Sequence, residues 1–294
     1  MNQNIPQFLI DMLKKQYGEK NTDKIIDGFS KNRLVTLRVN TLKTTVDEIC
    51  QLLDKSNIIY EKVLWSKEAI VIKNVDEKKL QELDIYKNGE IYLQSLSSML
   101  PPIILDPKPD TDILDMAAAP GGKTTQLAAL TKNKAHITAC EMNKLRLERL
   151  KYNLEKQGAS CVYVMLKDAR KIDDFFSFDN ILLDSPCSGS GTLNANSENR
   201  FTMNLIEKST KSQIELLRKA VKILKPGREM VYSTCSILQC ENEDIVNNVL
   251  KKENVEIVPI EFNGIEDIPQ LPTKIEGTLC VCPTELYEGF FVAK

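Results

Sequence analysis

The stretch "DILDMAAAPGGKTTQLAAL" at residues 112–130 decides the fold. A short apolar strand comes first, a turn rich in glycine and alanine follows, and an apolar helix comes last. The same order of strand, turn and helix returns along the chain, with strands at "HITACE" (136–141), "CVYVML" (161–166), "FDNILLD" (178–184) and "EMVYSTC" (229–235). This alternation predicts an α/β protein with a doubly wound, Rossmann-like parallel sheet.

The chain before this stretch has a different pattern. "VTLRVN" (35–40) alternates as a strand does, "TTVDEICQLLDKSN" (44–57) has helical spacing, and "YEKVLW" and "AIVIKN" indicate two more strands. We therefore predict a small N-terminal α/β subdomain over residues 1–90 and a larger domain over residues 91–294.

Five successive strands of the larger domain end in chemically useful residues. The first ends in the 117–123 turn, the next three end in Glu141, Asp168 and Asp184, and the last ends in Cys235. Ligands bind beyond the carboxyl ends of the strands in open α/β sheets. The sequence therefore predicts that these groups share one site.

Composition limits the classes of protein that fit. The chain has 294 residues, of which 42% are hydrophobic and 27% charged, as in soluble globular proteins. No apolar run approaches the ~20 residues of a membrane span, and the N-terminus does not resemble a secretion signal. We expect a cytoplasmic monomer that contacts no membrane.

The eight scattered cysteines are expected to be reduced. The Cys280–Cys282 pair is a weak candidate for a metal site, so no metal is expected.

His136 is the only histidine, and it lies in a predicted strand. A Ser-His-Asp or Cys-His nucleophile is therefore disfavoured. Any proton transfer has to use carboxylates, lysine, thiols or water.

The 117–123 turn has three interpretations. The G-x-G-x-x-G pattern of a dinucleotide site is absent. Gly122, Lys123 and Thr124 match the end of a phosphate-binding P-loop, and Asp184 could hold its magnesium, but Ala117 stands where that loop needs glycine. The third interpretation is an S-adenosylmethionine turn, with Glu141 on the ribose. A positively charged sulfonium suits a site with several carboxylates better than a triphosphate does.

The motifs "AAAPGGKT" (117–124), "ACE" (139–141), "LKDAR" (166–170), "FDNILLDSPCSGSG" (178–191) and "YSTCS" (232–236) occur in this order. Together they resemble the Sun/Fmu (RsmB/RsmF-type) family of S-adenosylmethionine-dependent RNA cytosine-5 methyltransferases, over roughly residues 90–294. "LRVNTLK" (37–43) and "GEIYLQSLSSML" (89–100) resemble that family's lead-in. Arg228 departs from it, because a second glycine commonly stands there. The resemblance implies S-adenosylmethionine as the cofactor, bound by Ala117, Ala118, Ala119, Pro120, Gly121, Gly122, Lys123, Glu141, Asp168 and Asp184.

The same resemblance implies methyl transfer to carbon 5 of a cytosine in rRNA or tRNA. Cys235 would be the nucleophile that adds to carbon 6, Cys187 would assist release, Asp184 would hydrogen-bond the base, and Lys123 would contact the base or the reacting thiolate. The residues alone do not choose between the two thiols, because both follow a buried strand and both need activation.

RNA is the expected partner. The candidate contacts are residues 1–90 and the basic run at 208–228, which holds Lys208, Lys211, Arg218, Lys219, Lys222, Lys225 and Arg228. The alternatives left open are a P-loop-like NTPase and a catalytically idle RNA-binding relative.

Overall fold

A computed structural model describes residues 5–194 and 201–294. Its N-terminal part contains a four-stranded antiparallel sheet in the order β2-β3-β1-β4. The elements of this part are α1 (Gln7–Ser30), β1 (Val35–Val39), α2 (Val46–Lys55), β2 (Tyr60–Val63), β3 (Ser66–Ile72), α3 (Glu77–Glu82), α4 (Asp84–Lys87) and β4 (Ile91–Leu93).

The rest of the chain builds an eight-stranded sheet in the order β10-β11-β12-β9-β8-β5-β6-β7. The five strands from β9 to β7 run parallel, and β10 to β12 are antiparallel. The elements are α5 (Leu96–Leu105), β5 (Asp112–Asp115), α6 (Gly122–Leu130), β6 (His136–Glu141), α7 (Lys144–Gln157), β7 (Val162–Leu166), β8 (Phe178–Asp184), α8 (Met203–Ile223), β9 (Leu224–Thr234), α9 (Glu243–Leu250), β10 (Gln270–Leu271), β11 (Leu279–Val281) and β12 (Phe290–Ala293).

Helices cover both faces of the large sheet, because successive side chains of a strand point to opposite faces and both faces are apolar here. Successive side chains of β8 alternate between two cores: Ile181 and Leu183 pack in one, and Leu182 packs in the other. The first core also contains side chains from α1, α8 and α9, and the second contains side chains from α5, α6 and α7. The predicted doubly wound α/β fold is confirmed.

Helix α1 packs on the large sheet rather than on the small one. Its buried residues Leu9, Leu13, Ile25 and Phe29 belong to the first core of the large sheet. The small sheet has its own core, which includes Leu37, Ile49, Leu53, Ile70 and Leu80. The boundary at residue 90 stays a prediction, and β4 of the small sheet lies just beyond it.

Strand β9 begins earlier than the sequence pattern predicts. Leu224 pairs with Phe178, the register then shifts, and pairing resumes with Glu229 opposite Asn180. The segment 225–228, with Gly227 at a φ of 72°, is therefore an irregularity inside the strand. Arg228 lies within this strand and forms an ion pair with Asp179 at 3.2 Å. No helix in the described parts of the chain is long and apolar enough to cross a bilayer.

Candidate active site

The strand order of the large sheet places a crevice between β5 and β8. The chain builds outward from β5 through β6 to β7, and then returns to β8 and β9 on the other side of β5. Ligands of doubly wound proteins bind at such a reversal of strand order. A cavity of about 500 Å³ opens there, and residues of both sheets line it.

The turn after β5 is fixed by the side chain of Asp115. Its Oδ2 accepts a hydrogen bond from Thr124 Oγ1 at 2.7 Å, and its Oδ1 accepts a long one from the Ala117 amide at 3.4 Å. Asp115 is buried, and burial raises its pKa to about 6 against the Thr124 hydrogen bond, which lowers it. The first turn of α6 is therefore tied to the end of β5.

The glycines of the turn keep its inner surface open. Gly121 has a φ of 109°, a conformation that favours glycine. A Cβ on Gly122 would stand 3.0 Å from the Tyr92 ring. Residues of α7 hold the turn from outside, because Arg146 Nη2 donates to the Ala119 carbonyl at 2.7 Å and Asn153 Nδ2 donates to the Pro120 carbonyl at 2.8 Å.

Arg38 of β1 joins the small sheet to this turn. Its side chain is buried and donates to the Gly122 carbonyl at 2.8 Å, and to the Thr125 hydroxyl at 2.9 Å. It also donates to Gln94 Oε1 at 2.7 Å. Burial lowers the pKa of Arg38 to about 10. The conformation of the turn thus depends on a residue from the other sheet.

Two expected cofactor ligands, Glu141 and Asp168, follow β6 and β7. Glu141 Oε1 accepts from the Asn143 amide at 2.8 Å, and its Oε2 lies 3.6 Å from Arg146 Nε. Its carboxylate therefore retains acceptor capacity. Asp168 forms an ion pair with Arg170, whose Nη2 donates to Asp168 Oδ2 at 2.7 Å. Hydrogen bonds from Arg170 lower the pKa of Asp168. Neither residue lines the 500 Å³ cavity.

Lys123 and Asp184 meet inside the crevice. Lys123 Nζ lies 2.7 Å from Asp184 Oδ2 and donates to Ser98 Oγ at 2.8 Å. Ser233 Oγ donates to the other Asp184 oxygen at 2.8 Å. Burial lowers the pKa of Lys123, but the charges of Asp184, Cys235 and Asp115 outweigh burial, so this pKa is raised overall. Lys123 is therefore a fixed cation beside a carboxylate.

The two thiols lie in contact. Cys187 Sγ and Cys235 Sγ are 3.2 Å apart, and both side chains are half-buried. The hydrogen bond with Cys235 and burial raise the pKa of Cys187, and the charge of Glu241 adds to this. Lys123 is a positive neighbour of Cys235. The two sulfurs therefore have different charged neighbours.

The crevice fits the expected sulfonium cofactor. Its volume lies within the ~300–1,000 Å³ of small-molecule sites. The turn at 117–122 presents backbone without bulky side chains, Asp115 and Asp184 contribute negative charge at the wall, and Glu141 has free acceptor capacity at the neighbouring strand end. Within residues 5–194 and 201–294, no group of three or more His, Cys, Asp or Glu side chains could hold a metal ion.

Several residues of the site were not anticipated from the sequence. Asp115 carried a weak signal, because it ends the first strand as Asp184 ends the fourth. Ser98, Ser233 and Arg38 carried none, because their partners lie far away in the chain. Arg33 was also missed: its Nη2 donates to the Leu193 carbonyl at 2.9 Å, and its Nη1 donates to the Thr192 carbonyl at 3.2 Å, which holds the loop that follows Cys187.

The basic run at 208–228 is largely neutralised by the protein's own acids. Lys219 and Lys222 both pair with Asp174. Lys225 lies 2.9 Å from Asp179 and 3.1 Å from Asp112. Together with the Arg228 ion pair, these contacts account for four of the seven basic residues, which weakens the expectation that this run holds RNA.

Comparison with known proteins identifies the family. The description "16S rRNA methyltransferase RsmB/F" matches residues 102–294, and an RsmF/B-like ferredoxin-like domain matches residues 5–76. The ribosomal RNA small subunit methyltransferase F of Shewanella loihica is 34% identical over all of this chain, and the chain spans 62% of that relative. A tRNA (cytosine(49)-C(5))-methyltransferase of Pyrococcus abyssi is 37% identical over 77% of this chain and 74% of its own length.

A solved structure supports the same conclusion. The crystal structure of a methyltransferase homologue from Pyrococcus horikoshii has a TM-score of 0.83 and 32% identity, and the match covers 98% of each chain. Membership of this family confirms the expected resemblance and the expected cofactor, S-adenosylmethionine. With more than half of its length matched by the family description, the chain belongs to the RsmB/F methyltransferase family.

Proposed function

We propose that the protein transfers a methyl group from S-adenosylmethionine to carbon 5 of a cytosine in rRNA or tRNA. The observation that carries this proposal is the contact between Cys187 and Cys235 beside the Lys123–Asp184 pair, at the point where the strand order reverses. The names of the relatives support an RNA substrate, since one refers to ribosomal RNA and another to cytosine C5 of tRNA.

The chemistry of cytosine explains why a thiol is needed. Carbon 5 is a weak nucleophile, and addition of a thiolate to carbon 6 converts the ring into an enamine that is reactive at carbon 5. The cofactor supplies the methyl group. The hydrogen on carbon 5 then has to leave as a proton before the bond between sulfur and carbon 6 breaks and the pyrimidine ring is restored.

We assign the nucleophile to Cys235 and the release step to Cys187. The environment of each sulfur supports this assignment. Cys235 lines the crevice beside Lys123, whereas the raised pKa of Cys187 favours a neutral thiol. Asp184 is the candidate for hydrogen bonding to the flipped base, and Lys123 fixes its orientation.

The two alternatives lose support. A P-loop lysine has to reach phosphate groups, but Lys123 is bound to Asp184 and Ser98, and the chain belongs to a methyltransferase family. An idle RNA-binding relative has no need for two thiols in contact. Residues 1–90 remain our candidate for RNA contact, supported by the residues of β1 that line the crevice.

A product assay tests the function. Total rRNA and tRNA would be incubated with the protein and isotopically labelled methyl donor, and then digested to nucleosides. We expect the label in 5-methylcytidine, and bisulfite sequencing of the labelled fraction would identify the RNA and the position. Label in another nucleoside, or no label in either RNA class with a protein that binds the methyl donor, would contradict the proposal.

A further inference from the structure

Glu241 is a fully buried carboxylate next to the two thiols, and none of the roles assigned above uses it. It lies at the end of a short 3-10 turn, Gln239–Glu241, that follows β9 and the Cys235 loop. Its side chain has 0% exposure. Burying a charge costs free energy unless hydrogen bonds compensate for the lost water, so the hydrogen-bond partners of Glu241 indicate its role.

The partners of Glu241 are the residues that directly follow the two cysteines. Oε1 accepts from the Ser188 amide at 2.7 Å, and Oε2 accepts from the Ser188 hydroxyl at 2.5 Å. Oε2 also accepts from the Ser236 hydroxyl at 2.6 Å. One carboxylate thus binds the loop of Cys187 and the loop of Cys235 together, one residue beyond each sulfur.

Further hydrogen bonds join the same two loops. Ser190 Oγ and Ser236 Oγ are 2.8 Å apart, and the Ile237 amide donates to Ser190 Oγ at 3.0 Å. The Gly191 amide donates to the Cys235 carbonyl at 3.0 Å. Glu241 is the charged member of this set of contacts, and its carboxylate accepts three hydrogen bonds from these loops.

Stability alone is a weak explanation for such a residue. Burial raises the pKa of Glu241, and the hydrogen bonds from Ser188 and Ser236 lower it, so a large desolvation cost is only partly offset. Buried charges are often replaceable by apolar groups without loss of stability. The geometry therefore favours a role in placing the loops.

We infer that Glu241 is a positioning residue, which fixes the two cysteine-bearing loops at the separation at which the Cys187 and Cys235 sulfurs meet. The inference rests on the proposed function, because that reaction uses both thiols on the same cytosine ring. A role in placing sulfur atoms can nevertheless be measured without methylation.

The test compares three variants of the full chain. Glu241→Ala removes the acceptors, and Glu241→Gln keeps one carbonyl acceptor and an amide to which the rotatable hydroxyls can adapt. Glu243→Ala is the matched control, because it removes a carboxylate of 2% exposure on the same segment. Within the described residues, the Glu243 side chain makes no hydrogen bond to either cysteine loop. Ser188→Ala is a milder variant, in case Glu241→Ala does not fold.

The first readout is the effective concentration of the thiol pair in a glutathione redox buffer. The two sulfurs form one disulfide as oxidised glutathione is reduced to two thiols, and peptide mass spectrometry measures the Cys187–Cys235 link. We expect Glu241→Ala to lower this effective concentration by about tenfold or more and Ser188→Ala by less, with Glu241→Gln and Glu243→Ala within about threefold of the wild type. The wild-type protein is therefore expected to show the highest effective concentration of the Cys187–Cys235 pair.

The second readout is methylation kinetics. We expect Glu241→Ala to lower kcat with KM values for RNA and methyl donor nearly unchanged, and Glu241→Gln to restore most of kcat. An unchanged effective concentration in both Glu241→Ala and Ser188→Ala, or an equal loss in Glu241→Gln and Glu241→Ala, would overturn the inference. If the wild type methylates nothing, the proposed function fails, and the disulfide readout still decides whether Glu241 sets the separation of the sulfurs.

Discussion

At the scale of single residues, the site is a set of carboxylates held by hydrogen bonds and ion pairs. Asp184 is held by Lys123 and Ser233, and Asp115 is held by Thr124. Serine and threonine hydroxyls orient both carboxylates, and the Lys123 ion pair balances the charge of Asp184. We expect the acceptor positions that these contacts leave open to orient the cofactor and the base.

Glu141 gives the first prediction at this scale. Glu141→Ala should weaken binding of the methyl donor by about 1–3 kcal/mol, because a buried acceptor for ribose hydroxyls is lost. Isothermal titration calorimetry measures this directly. Glu148→Ala, on the exposed side of α7, serves as the control and should bind as the wild type does. Equal affinity in Glu141→Ala and the wild type would remove Glu141 from the cofactor site.

Asp115 gives a prediction about pH. Burial raises its pKa from 3.8 to about 6, so the folded protein holds this proton more tightly than the unfolded chain does. Its contribution to stability is complete below pH 3.8 and is lost as pH rises through about 6, by up to about 3 kcal/mol. Urea unfolding between pH 4 and 7 should show this loss in the wild type and lack it in Asp115→Asn. Parallel curves for the two proteins would contradict the assignment.

At the scale of elements, the sequence predicted the structural features that depend on local patterns of apolar and polar residues. The parallel strands, the helices between them, and the loop, carboxylates and thiol at their ends follow from periodicity and from the direction of parallel strands. The contacts of Arg38 and Arg33 could not be predicted, because their partners lie 84 and 160 positions away. The early start of β9 was not predicted, because Leu224 pairs with Phe178 ahead of the irregular segment 225–228, in which Lys225 and Arg228 contact Asp179.

The link between β1 and α6 gives a prediction at this scale. Arg38→Met should lower the free energy of unfolding by about 3 kcal/mol, because the carbonyl of Gly122 and the amides of Gln94 and Gln126 lose a buried donor. It should also weaken methyl-donor binding, since the first turn of α6 loses its support. Urea unfolding and calorimetry check both effects. The exposed Arg149→Met is the control, and loss of stability with unchanged binding would show that β1 does not support the turn.

At the scale of the whole molecule, one crevice is built from both sheets. Helix α1 completes a core of the large sheet, and β1 and β4 contribute residues that support the crevice from the other side. Under the proposed function, a substrate base would enter this crevice between the two sheets. We propose that Cys235, which lines this crevice, and the adjacent Cys187 perform successive steps on one cytosine.

The most direct test of that claim is the covalent complex between protein and RNA on a denaturing gel. With RNA and methyl donor present, Cys187→Ala should accumulate a complex, because attack and methyl transfer proceed and release is slow. Cys235→Ala and the double variant should form none, since no bond to carbon 6 can form. Cys161→Ala, a half-buried thiol outside the crevice, should behave as the wild type does. A complex in Cys235→Ala but not in Cys187→Ala, or methylation unaffected by either change, would contradict the account.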